Sequence, residues 1–123
     1  MKKLILAAFL VAAPLAAASA MPVSTFLQKA DALQAKGMLA LFSSDYGLLK
    51  KEVTDASGQL RAERLAARAA GRRPAYCPPE QQGSLDSRDL LAAFRAIPPA
   101  LAARTQVKDA LRALLARKYP CPA

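Results

Sequence analysis

The chain has 123 residues, with 18 Lys and Arg against nine Asp and Glu, two Cys and no His, for a formal net charge of +9. Without His there are no Ser-His or Cys-His nucleophile pairs and no His metal sites, and two thiols alone fall short of the four N or S ligands that structural zinc usually takes. The basic excess favours acidic partners, whether anionic lipid headgroups, nucleic acid or an acidic protein face, without choosing among them.

Residues 1–20 read as a secretory signal peptide. Lys2 and Lys3 form a positive start, Leu4 to Ala17 is an apolar run broken at Pro14, and Ala18-Ser19-Ala20 has the small-x-small form of a signal peptidase site. So short a run with that ending marks export rather than a membrane span, and no Cys follows Ala20 to carry a lipid anchor. Cleavage after Ala20 leaves 123 − 20 = 103 residues, one small domain over 21–123, whose charge is +9 less the two lysines, or +7. The expected location is the periplasm, and export argues against nucleic acid as the partner. No later apolar run is long enough to cross a bilayer. In an oxidising compartment two cysteines of a small domain pair, and the one intramolecular connectivity is Cys77–Cys121.

The expected fold class is all-α, a small domain of four or five helices. Ala, Leu, Lys and Arg dominate, and no segment alternates apolar and polar residues as a half-buried strand would. The first helix is predicted over Ser24 to Lys36, with Thr25 and Gln28 spaced as a capping box, Phe26, Ala30, Leu33 and Leu27 inward, and Gly37 as the C-cap. Met38, Leu39, Leu41 and Phe42 then read as a short buried turn. Ser43, Ser44 and Asp45 are candidate N-caps for a long helix over Tyr46 to Ala70. Its apolar line is Leu49, Val53, Ala56, Leu60 and Ala67. Gly58 in its middle costs about 1 kcal/mol relative to Ala and leaves open a kink or break. Gly71 ends the helix, and the prolines at 74, 78 and 79 keep the following loop out of helical geometry. A third helix is predicted over Ser87 to Ala96, with Leu90, Leu91, Phe94 and Ile97 inward. Pro98-Pro99 ends it and opens a fourth reaching Lys118. The buried stripe of that fourth helix is Ala100, Ala103, Val107, Leu111 and Leu114, flanked by Arg104, Lys108 and Arg112.

Two sets of residues invite a functional reading. Arg61, Arg64, Arg68 and Arg72 fall on one helix face, with Leu65 among them and Glu63 offering local compensation. The stripe reads first as a solvated face. Its functional reading is a partner-facing or anion-facing surface, because an apolar residue ringed by Arg is typical of interfaces. The carboxylate pairs Glu52/Asp55 and Asp86/Asp89 could serve a hydrolase only if they bracketed a substrate in a cleft. The plainer reading makes Asp86 and Asp89 helix-start residues and Glu52 and Asp55 a solvated face. The five glycines are scattered and build no phosphate loop. The expectation is therefore a non-enzymatic binding protein with no cofactor and no metal. Tyr76 and Tyr119, beside the cysteines, are expected to pack against a staple that ties the end of the last helix to the loop before the third.

The signal peptide, the "YCPP" of residues 76–79, the helix ended by "PP" and the terminal "ALRALLARKYPCP" together resemble the Tai-like superfamily, periplasmic immunity proteins of type VI secretion. The likeness rests on Cys77-Pro78-Pro79 and Tyr119-Pro120-Cys121 and covers mainly residues 74–123. It implies a helical fold, a disulfide between Cys77 and Cys121, and a toxic effector as the partner, for instance a peptidoglycan amidase. No effector-facing residue carries over to residues 21–73. The alternative from a different class is a general envelope protein holding anionic lipid or glycan through the arginine face.

Overall fold

The computed structural model describes residues 21–79 and 85–123; the expected export signal lies outside the described residues. The domain is all-α. In chain order it has α1 (Val23–Lys36), a 3-10 turn (Gly37–Phe42), α2 (Ser44–Ala69), α3 (Ser87–Arg95), a one-turn α4 (Pro99–Ala102) and α5 (Val107–Lys118). Among the described residues β pairing is confined to an isolated antiparallel bridge between Pro22 and Gln106.

The apolar spacing explains the packing. Phe26, Ala30 and Leu33 turn inward from α1, Leu49, Ala56 and Leu60 from α2, Leu90 and Phe94 from α3, and Val107, Ala110, Leu111 and Leu115 from α5. Helix α5 packs on α2, α1 on the other part of α2, and α3 against both α1 and α5. Phe94, fully buried, meets Phe26 edge to face with ring centroids 5.4 Å apart, which sets a positive ring edge on a negative face.

The ends of α2 follow local chemistry. The Ser43 hydroxyl accepts from the Asp45 N–H. At the other end Gly71 takes a φ of +69°, and the Arg72 N–H donates back to the Ala67 carbonyl at 2.8 Å, a glycine-dependent helix stop. Gly58 neither breaks nor ends the helix. Burial of Ala56 and Leu60 on either side outweighs the propensity lost there.

Three expectations need correction. The Thr25/Gln28 capping box does not form: α1 starts at Val23, with Pro22 in the cap position and no side-chain cap. Backbone from elsewhere serves instead. The Val23 N–H donates to the Thr105 carbonyl at 2.8 Å and the Val107 N–H to the Met21 carbonyl at 2.9 Å, while the Met21 N–H donates to Glu52 Oε1 at 3.2 Å. The same pairing divides the predicted fourth helix. Gln106 is extended, which frees Thr105 and Val107 to bond Val23 at the start of α1 and Met21 ahead of it. Ala100 and Ala103 are therefore exposed, Leu114 is half-buried, and Ala102, Ala110 and Leu115 are the buried members.

The third correction is the turn after α1. Met38, Leu39, Leu41 and Phe42 are not buried; they are 83, 71, 58 and 88 % exposed. A 3-10 helix has three residues per turn, so positions i and i+3 eclipse. Ala40, half-buried, packs against the core, and the pairs 38/41 and 39/42 face water.

Cys77 and Cys121 are disulfide-bonded across a sequence separation of 44. The expected staple is present, joining the segment after α5 to the loop between α2 and α3. Around it the Cys77 N–H donates to the Tyr119 carbonyl at 2.8 Å and Arg73 donates to the Cys121 carbonyl at 2.6 Å. Tyr76 is buried and Tyr119 half-buried against the core.

Candidate functional site

The arginine face divides once its neighbours are in place. Arg61, Arg68 and Arg72 are exposed, and Leu65 beside them is 48 % exposed. These four form an accessible basic surface with an apolar centre. Arg64 leaves the group. It lies half-buried, its guanidinium carbon 5.4 Å from the centroid of the buried Tyr76 ring, a cation–π placement. Its Nε is buried without a hydrogen-bond partner among the described residues. Arg64 thus packs α2 onto the loop that carries Cys77.

Glu63 does not compensate the stripe. It points to the opposite side of α2, where its carboxylate holds Lys108 and Arg112 of α5. Lys108, and then Arg112, keep the Glu63 carboxyl below the usual carboxylate range, and Glu63 holds the Arg112 guanidinium proton more firmly than usual. Glu63, Arg64, Arg73 and Arg112 line a small crevice of about 160 Å³ over Tyr76. Arg73 and Arg112 are already committed there, to the Cys121 carbonyl and to Glu63 with Asp109.

The carboxylate pairs are dispersed into structural tasks. Asp86 caps α3, its Oδ1 accepting from the Arg88 N–H at 2.8 Å. Asp89 sits 3.9 Å from the Lys118 ammonium. Glu52 holds the Met21 N–H, and Asp55 pairs with Lys51 one turn away. Neither pair brackets a cleft. Among the described residues no group of three or more His, Cys, Asp or Glu is placed to hold a metal ion, and no helix is long and apolar enough to cross a membrane.

The most accessible apolar surface is one that sequence reasoning placed inside. Met38, Leu39, Leu41 and Phe42 project together, with Tyr46 and Leu48 of α2 also over 40 % exposed beyond them. Contiguous exposed apolar surface in a small domain marks an interaction site. The signal in the sequence was the density of large apolar residues in "GMLALF" with no spacing to match a buried helix face. From Phe42 to Arg61 the chain runs along α2, about 28 Å at 1.5 Å per residue. The apolar knob and the basic face therefore sit at opposite ends of one long helix.

No family model, curated protein or solved structure matches the chain.

Proposed function

We propose that this chain is a periplasmic, non-enzymatic inhibitor that binds and neutralises a toxic effector, with the 3-10 knob as the element that enters the effector's cleft. The observation that carries the reading is the exposure of Met38, Leu39, Leu41 and Phe42. Four large apolar side chains held in water on a hydrogen-bonded turn suit the buried centre of an interface, where few anchors supply most of the affinity. The turn is held between α1 and α2, and a segment anchored at both ends has less freedom to lose on association. Support also comes from the export signal, the dispersed carboxylates and the "YCPP…YPC" resemblance to Tai-like immunity proteins, which points to a peptidoglycan amidase as the kind of effector.

The test is co-expression in the periplasm with a cell-wall-degrading toxin encoded beside this chain. Protection and a stable complex are expected, and Leu39→Asp with Phe42→Asp should abolish both while helicity is kept. Absence of protection and of a complex with the unaltered protein overturns the reading for that toxin.

A second reading has its own observation. Arg61, Arg68 and Arg72 are exposed and make no ion pair among the described residues, which suits an anionic lipid or glycan surface. Attachment of that kind weakens steeply with salt, and Arg61→Glu with Arg68→Glu should remove it. Binding to anionic vesicles that survives both high salt and the double change rules this reading out.

A further inference from the structure

A cleft of about 490 Å³ opens between α1, α2 and α3. Its walls are Ala30 and Leu33 of α1, Leu49 and Val53 of α2, and Leu90 and Leu91 of α3. Gly37 and Ala40 of the 3-10 turn also line it, as does Leu85. The cleft reaches the core itself, since Phe26, Leu49 and Leu90 both line it and are buried. Lys50 is the one charged residue in the lining, and no carboxylate lines it among the described residues. Lys50 also makes no ion pair among them, whereas its neighbours Lys51 and Lys29 are taken by Asp55 and Asp45.

We propose that this cleft binds a single-chain amphiphile with an anionic head, a long-chain carboxylate, with the chain laid between α1, α2 and α3 and the head at Lys50. Three observations support the assignment. The volume falls within the roughly 300–1,000 Å³ of small-molecule sites. Dividing about 490 Å³ by the roughly 30 Å³ share of a water-sized group leaves room for about 16 such groups, one acyl chain rather than two. A mainly apolar lining, with neutral polar groups at Gln34, Tyr46, Thr54 and Ser87 and with Lys50 the single cation, matches one tail and one negative head, and among the described residues no lining acid repels that head. Ala30, Gly37 and Ala40 put little or no side chain into that space. This site is distinct from the arginine face: most of its affinity comes from apolar burial, which salt does not screen.

The probe is cis-parinaric acid, whose fluorescence rises on leaving water, titrated into the full exported chain. Saturable one-to-one binding is expected. Ala40→Trp, which fills the cleft from the turn, should weaken it about tenfold or more, a shift readily read from a titration. Lys50→Glu, at an exposed helical position, should weaken the carboxylate by a similar factor and leave a neutral monoacylglycerol unchanged. Arg61→Glu with Arg68→Glu should have no effect. Displacement of the probe by laurate in preference to lysophosphatidylglycerol supports a carboxylate head; the opposite preference overturns that part and puts a phosphate on Lys50. If Ala40→Trp loses helicity, the contrast between anionic and neutral ligands in Lys50→Glu decides. No saturable binding, or binding indifferent to Lys50→Glu and equal for neutral and anionic chains, overturns the proposal.

Discussion

Removing the staple offers the most quantitative test of how this domain holds together. The disulfide closes a loop with a sequence separation of 44. In the chain-entropy description, cross-linking about 45 residues takes roughly 4 kcal/mol from the unfolded state at 25 °C. Small domains are stable by about 5–15 kcal/mol, so the bond supplies between about a quarter and most of that margin. The native side should change little, because the Cys77 N–H to Tyr119 carbonyl bond and the Arg73 bond to the Cys121 carbonyl do not need the sulfurs. The expected result is therefore a loss of about 4 kcal/mol in Cys77→Ala/Cys121→Ala with the near-ultraviolet circular dichroism of the native state preserved. Urea unfolding of three samples reads it: oxidised wild type, wild type with reductant, and the double variant. The last two should coincide, and either single change should cost as much as both. The denaturant slope should rise slightly, since the open unfolded chain exposes more surface. A loss below about 1 kcal/mol with an unchanged slope would mean that the unfolded chain is already compact around these residues, and would refute the entropic reasoning.

Other consequences are as direct. Phe94→Ala empties a fully buried site against Phe26 and should cost about 3–5 kcal/mol in urea unfolding. Gly58 and Gly71 should respond with opposite signs: a Cβ at either meets nothing within 4 Å, so backbone conformation decides. Gly58→Ala should stabilise by about 0.5–1 kcal/mol, whereas Gly71→Ala, at φ +69°, should destabilise by about 1–2 kcal/mol. Glu63 predicts a pH dependence. Its folded-state pKa is lowered by Lys108 and Arg112, so its contribution is full above the unfolded value of about 4.3 and is lost as pH falls through the lower folded value. Because its side chain is 46 % exposed, the contribution is about 0.5–1 kcal/mol. Glu63→Gln should remove that amount at pH 7 and almost nothing at pH 2, measured by thermal unfolding at both.

Much of this architecture was legible because it is local. The 3.6-residue spacing of Phe26, Ala30 and Leu33, or of Leu90 and Phe94, identifies buried faces without knowledge of what covers them. Ser43, Gly71 and Asp86 act within a few residues of themselves. The errors fall where a distant segment intervenes. The break at Gln106 exists because Met21 and Val23, more than 80 residues earlier, bond to Thr105 and Val107, and no spacing within residues 99–118 encodes that. Arg64 looked like its three companions until Tyr76 arrived from the loop to take it. The knob was misplaced for another reason: apolar residues default to the interior, and a shift from 3.6 to three residues per turn sends 38, 39, 41 and 42 outward. Residues whose composition suits a core thus form the domain's most exposed apolar surface.

The bond from the Met21 N–H to Glu52 gains meaning if the export signal is cut where the small-residue pattern places the cut. Before cleavage that nitrogen is a neutral amide. Afterwards it would be a terminal ammonium facing the Glu52 carboxylate already in position on α2. Processing would then do more than release the chain from its leader. It would convert a neutral contact into a charge pair between the new N-terminus and α2, a clasp that only a cut at that position creates.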